Sequence, residues 1–204
     1  MINVPPSRKK LDRRMLVLPL MAGMALSVCS QTPKSNSLTV APTFTEWHNL
    51  EVNDINRYPL HSDFFAFSSD DDTTTVNTGN RFKSKNYVSL EGDWKFHWVA
   101  NADERPDGFW RTDYDDSSWK TMSVPGIWEV NGYGQPEYVN IGFAWRGHFN
   151  EQPPAVPTKD NHVGSYRREI NIPANWNGKQ VIAHFGSVTS NIYLWVNGTF
   201  VGYS

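Results

Sequence analysis

The stretch NIYLWVNGTFVGYS, Asn191–Ser204, decides the fold. Two runs rich in aromatic and β-branched residues flank Asn197–Gly198, a dipeptide that accepts the positive φ of a two-residue type I′ turn. The segment therefore predicts a hairpin. Upstream of it, KQVIAHFGSV (Lys179–Val188) sets Val181, Ala183 and Phe185 against Ile182 and His184, the pattern of a strand covered on both faces. Asn177–Gly178 marks a turn before it. In GSYRREINIP (Gly164–Pro173), Tyr166, Ile170 and Ile172 oppose Arg167, Glu169 and Asn171. In SLEGDWKFHWV (Ser89–Val99), Trp94, Phe96 and Trp98 share one face and Lys95 and His97 the other, which predicts a strand with one wet side. Asp116, Ser117 and Ser118 ahead of Trp119 predict a side-chain-bonded turn, then a short strand ended by Pro125–Gly126. Short strands at this spacing argue an all-β fold, an antiparallel jelly-roll sandwich, with no internal repeat and no long amphipathic helix. The sandwich is expected to be incomplete at the C-terminus, leaving Thr199–Ser204 as an open edge.

Upstream of the strands the chain changes character. MINVPPSRKKLDRRM supplies five basic residues, and LVLPLMAGMALSV follows as an apolar run of 13. That is the length of a signal-peptide core and too short to cross a bilayer. Leu26–Cys29 (LSVC) matches a bacterial lipobox except at Val28, where a small residue is usual. Residues 1–29 are thus expected to be a signal peptide, a disordered leader outside the fold, with Cys29 the candidate lipidation site. A plain secretory signal, or a cysteine buried in an apolar strand, are the alternatives. Export would place the protein in the periplasm, or make it an outer-membrane lipoprotein of a Gram-negative bacterium anchored through Cys29. Residues 30–45, polar and rich in Ser, Thr and Pro, read as a flexible tether. Residues 46–86 read as an extended arm and a polar loop, and 87–204 as the β domain.

Composition narrows the function. A net charge of −2 offers no clustered basic face for nucleic acid. Cys29 is the single cysteine, so no disulfide forms within the chain. No G-x-S-x-G elbow, P-loop or H-E-x-x-H occurs. The histidines lack ligand spacing, and Asp70–Asp72 reads as a solvated charge run, so no metal is expected in these residues. Glu129 and Glu137 are carboxylates without the paired environment that glycoside hydrolysis requires. The aromatics are another matter, with 9 Trp, 8 Tyr and 11 Phe. Sugar rings stack their C–H faces on aromatic rings and hydrogen-bond through their hydroxyls. GYGQPEYVNIGFAWRGHF (Gly132–Phe149) has that mixture in Tyr133, Tyr138, Phe143 and Trp145 beside Asn140 and Arg146. The plainer reading puts most of these rings in the core.

Five ordered blocks carry a resemblance: EWHNLEVNDINRYPLHSDF, SLEGDWKFHWV, YDDSSWKTMSVPGIWEVNGYGQPEYVNIGFAW, PPAVPTKDNHVGSYRREINIP and HFGSVTSNIYLWVNGTFVGYS. Together, from about Trp47 to Ser204, they resemble the N-terminal sugar-binding region of glycoside hydrolase family 2, in its large β-galactosidase branch. The branch rests on YVNIGFAW, on the loop that follows it and on Ile55–Arg57. Ile127 and Lys159 depart from the family pattern. The resemblance implies a galactose-binding-like jelly roll followed by an immunoglobulin-like domain and a (β/α)8 barrel that bears both catalytic glutamates. It implies an N-terminal fragment with no catalytic residue and no cofactor of its own, with magnesium and sodium serving the full-length enzyme. The substrate would be a β-galactoside. In this family a Y-x-N loop reaches the sugar, and Tyr138-Val139-Asn140 matches it, so the resemblance makes Asn140 the expected substrate contact. A non-catalytic carbohydrate-binding module is the alternative function.

Overall fold

The structure is a computed structural model that describes residues 2–4, 41–71, 73–74, 76–77, 79–136, 138 and 154–204. Its regular elements are strands and short 3-10 turns: β1 (Ile2–Val4), β2 (Gly92–Val99), β3 (Lys120–Val124), β4 (Val163–Arg167), β5 (Val181–Ala183), β6 (Tyr193–Val196) and β7 (Thr199–Tyr203). They make three antiparallel sheets among the described residues, ordered β3-β2-β4, β6-β7 and β1-β5. None of them closes on itself.

The central sheet is built on β2. Phe96 lies opposite Lys120 on β3 and Tyr166 on β4, and it is 1% exposed. Its ring meets Tyr166 at 4.7 Å and Tyr133 at 4.8 Å, so the Trp94–Phe96–Trp98 face is packed as the alternation predicts. The opposite face is only partly wet: Asp93 is exposed, whereas Lys95 and His97 are half-buried. His97 stacks on Trp119 at 5.4 Å, and Trp119 is itself 7% exposed. The cause is the segment between β2 and β3, which folds back over that side. Arg167 fastens it by donating to Asp116 Oδ2 at 2.7 Å and to the carbonyls of Phe109 and Arg111. The expected turn before β3 is present, with Ser117 N bonded to Asp115 Oδ1 at 3.0 Å, while Asp116 is engaged by Arg167.

Ring contacts continue from this layer to the hairpin. Phe109 meets both Trp119 and Trp195, and Trp110 stacks on Trp195 at 5.3 Å and 14°. The β6–β7 turn is as predicted, with φ of 50° at Asn197 and 78° at Gly198. Its register slips between Leu194 and Trp195, giving β7 one more residue than β6 across the ladder. Two other expected strands are shorter than the alternation implied. β4 stops at Arg167, and Ile170 and Ile172 are 41% and 52% exposed, with no strand alongside them among the described residues. β5 covers only Val181–Ala183 and is half-buried throughout, not covered on both faces.

The edge expected to be free carries partners, and so does an edge of β5. Ile55 and Tyr203 exchange both backbone hydrogen bonds, at 2.9 and 3.0 Å. Asn56 Nδ2 donates to Val201 O at 2.7 Å, and Arg57 Nη1 to Ser204 Oγ at 3.1 Å. The arm therefore pairs the Val201–Ser204 end of the outer edge of β7, so Thr199–Ser204 does not stand wholly open as expected. At β5, Ile2–Val4 pairs with Val181–Ala183, so three residues expected in a disordered leader lie in strand pairing. The reason is the same in both places: an unpaired row of N–H and C=O groups recruits whatever extended chain can reach it.

Candidate functional site

The segment that the aromatic pattern singles out begins after β3 and is held at its base by rings. Trp128 Nε1 donates to the Tyr166 hydroxyl at 2.5 Å, and that hydroxyl meets Met122 Sδ at 3.8 Å. Burial pushes the Tyr166 phenol above its ordinary pKa, so it stays protonated and available as both acceptor and donor. A 3-10 turn, Glu129–Asn131, follows and ends at Gly132 with φ 84°. Tyr133 then turns inward, 4.8 Å from Phe96 and 6.4 Å from Trp98, with Lys120 Nζ 5.8 Å from its centroid. This half-buried aromatic packs against the core ring of Phe96. Trp98 also meets His162 at 4.9 Å with the rings tilted by 60°, and Asp160 Oδ1 lies 3.2 Å from His162 Nε2. Trp98 Nε1 is buried with no hydrogen-bond partner among the described residues. What the segment presents outward is Ile127, Val130 and Tyr138, at 65%, 81% and 91% exposure.

Asn140 and Cys29, the two residues read from the sequence as substrate contact and lipid site, lie outside the described residues. So do Glu137, Phe143, Trp145 and Arg146. Glu129 is placed in the 3-10 turn and has no carboxylate partner there among the described residues. Asp70 and Asp71 both bind Lys85 Nζ, at 3.3 and 2.9 Å, as a charge run neutralised by a lysine would. No three His, Cys, Asp or Glu side chains gather as a metal site among the described residues. No helix among them is long and apolar enough to cross a membrane.

A second polar centre was not legible in the sequence. Glu46, 7% exposed, accepts from Thr43 N at 2.8 Å, from Thr43 Oγ1 at 2.9 Å and from the Tyr193 hydroxyl at 2.9 Å. Burial alone would push this carboxyl up, but those hydrogen bonds outweigh it and hold the group below its ordinary pKa. Burial first, and then the adjacent carboxylate, push the Tyr193 phenol up. The pair is a latch between the arm and β6. A sequence separation of 147 residues hides it from any local pattern.

Comparison with known proteins places the chain in a family. Residues 87–204 match the model described as glycosyl hydrolases family 2, sugar binding domain. The chain belongs to that family. Among its relatives, a protein named beta-galactosidase from Halalkalibacterium halodurans is 37% identical over 157 residues, covering 76% of this chain and 15% of the relative. One of the same name from Priestia megaterium is 35% identical over 162 residues, 79% of this chain and 15% of the relative. A beta-galactosidase large subunit from Leuconostoc lactis is 34% identical, covering 76% of this chain and 25% of the relative. The chain thus spans about 15% of the length of the first two relatives.

Proposed function

We propose that this chain is the N-terminal sugar-binding region of an exported β-galactosidase that removes terminal non-reducing β-D-galactose with retention. The observation that carries the reading is the family match over 87–204, together with relatives named beta-galactosidase whose length is several times greater. In this reading the strands form part of a jelly-roll sandwich, and the region supports the rest of the enzyme and positions substrate. Asn140 contacts the galactose. The catalytic glutamates, the immunoglobulin-like and barrel domains, and the magnesium and sodium sites belong to other parts of the polypeptide. The signal segment exports the protein, and a lipid on Cys29 holds it at the membrane.

The chemistry is a division of labour. Retaining hydrolysis needs two carboxyl groups ~5–5.5 Å apart, one of them with a raised pKa. Among the described residues the shifted carboxyls, Glu46, Asp71, Asp113 and Asp115, are all lowered by hydrogen bonds, which suits anchoring and not proton donation. The contribution of this region is then to hold the sugar in place, an effect that acts through orientation. The whole polypeptide should release galactose from an aryl β-D-galactoside, with the β-anomer appearing first by NMR, while the 204-residue chain alone should release none. Hydrolysis by the 204-residue chain alone, or an α-anomer released first, would contradict this reading. A non-catalytic carbohydrate-binding module is the second reading, and lack of any galactosidase activity in the whole polypeptide would favour it.

A further inference from the structure

We propose that Asn177–Gly178, in the segment between β4 and β5, is a site of spontaneous covalent modification, at which the asparagine amide is lost and aspartate or isoaspartate replaces it. The Gly178 backbone nitrogen, its proton given up to solvent, attacks Cγ of Asn177. The N–Cγ bond forms, the Cγ–Nδ2 bond breaks, and Nδ2 leaves as ammonia, taking a proton from water. Water then opens the cyclic imide at either carbonyl. The sequence offers this dipeptide three times, at Asn131–Gly132, Asn177–Gly178 and Asn197–Gly198. The structure separates them. Asn131 Nδ2 donates to Ile127 O at 2.8 Å, and Gly132 N donates to Glu129 O at 3.3 Å, so leaving group and nucleophile are both held. Asn197 and Gly198 are the hairpin turn itself, held at φ 50° and 78° between the paired residues Val196 and Thr199. The Trp110 carbonyl oxygen lies 3.8 Å from where a Cβ on Gly198 would be.

Asn177–Gly178 has neither kind of restraint. Both residues are exposed, and among the described residues the Asn177 side chain and the Gly178 N–H have no hydrogen-bond partner. One backbone bond, Lys179 N to Trp176 O at 2.9 Å, closes the turn across the pair, in place of the ladder that holds Asn197. Asn177 sits at φ −58° and ψ 128°, so ring closure needs a rotation about its Cα–C bond. Gly178, at φ 78°, has nothing within 4 Å of where a Cβ would be, and glycine offers that rotation little steric resistance. The same turn ties this segment to the polar loop. Trp176 Nε1 donates to Lys85 O at 2.8 Å, and Lys179 Nζ to Asn86 Oδ1 at 2.7 Å. Modification places a carboxylate two residues before Lys179, where it competes with Asn86 for the ammonium. Isoaspartate also lengthens the backbone by a methylene within the turn. Both changes loosen the hold on Lys85 and Asn86.

The site does not depend on the function proposed above. The test incubates the whole polypeptide in mildly alkaline buffer, folded and, in parallel, unfolded in denaturant, and follows the three dipeptides by peptide mass spectrometry. In the folded protein Asn177 is expected to show the mass gain of an amide turned acid about tenfold faster, or more, than Asn131 and Asn197. In denaturant the three rates should converge, because only the folded backbone tells the sites apart. Equal or faster conversion at Asn131 or Asn197 in the folded protein would overturn the proposal. So would an Asn177 that converts in denaturant and not in the fold. Asn177→Gln, whose longer side chain must close a larger ring, should abolish the mass gain in its peptide. A gain that persists there would assign the chemistry to Asn175 and overturn the site. Hydrogen exchange at the amides of Lys85, Asn86 and Tyr87 should be faster in the converted protein, and equal exchange in the two forms would overturn the loosening of the polar loop.

Discussion

At the residue scale the sharpest constraint is Gly164 on β4. A Cβ there would fall 2.5 Å from Trp128 Cζ2 and 2.7 Å from Phe96 Cε2, so one of the two rings would have to shift. Gly164→Ala should therefore cost about 1–3 kcal/mol of overpacking, read as a lower denaturant midpoint. An unchanged midpoint would show that the rings can shift. Glu46 gives a second test. Its folded pKa lies below the ordinary value, so its carboxylate stabilises the fold above the unfolded pKa of about 4.3. That contribution fades as pH falls through the lower folded value. Melting temperature should drop over that acidic window in the unaltered chain, and Glu46→Gln should lower stability at neutral pH and flatten this part of the profile. A profile of identical shape in both proteins would remove the latch from the account. The sequence showed the aromatic face of β2 because Trp94, Phe96 and Trp98 alternate locally. It could not show Glu46–Tyr193 or Arg167–Asp116, whose partners meet only in the folded chain.

Among the elements, the hairpin was legible and the edges were not. Asn197–Gly198 states its own turn, since positive φ at both positions requires such residues. An edge strand states nothing about what will cover it, and the arm lacks periodicity because it pairs at single points, as Ile55 does with Tyr203. The bonds from Ile55, Asn56 and Arg57 to β7 and Ser204 number four, and at about 0.5–1.5 kcal/mol each they contribute roughly 2–6 kcal/mol. Against a domain stability of about 5–15 kcal/mol, that is a large share. Removing the chain up to and including Arg57 should expose β7, lower the melting temperature and shift the protein toward soluble aggregates in light scattering. A shortened chain that stays monomeric with an unchanged melt would show that the arm is only laid on the surface. The wet face predicted for β2 is only partly wet for a related reason. His97 looks like a solvent-facing residue until the segment between β2 and β3 folds back and Trp119 stacks on it.

At the scale of the whole molecule, the described strands belong to a glycoside hydrolase family 2 sugar-binding domain, and we propose that its sugar site is completed elsewhere in the polypeptide. The family was legible because five blocks keep their order, and the match over 87–204 agrees with them. The most direct measurement is the steady-state kinetics of the whole polypeptide on an aryl β-D-galactoside, with and without Asn140→Ala. Loss of one hydrogen bond to bound sugar, worth about 0.5–1.5 kcal/mol, should lower kcat/KM by roughly two- to tenfold while the melting temperature stays put. Kinetics indistinguishable from the unaltered protein would contradict the claim that this region holds the substrate.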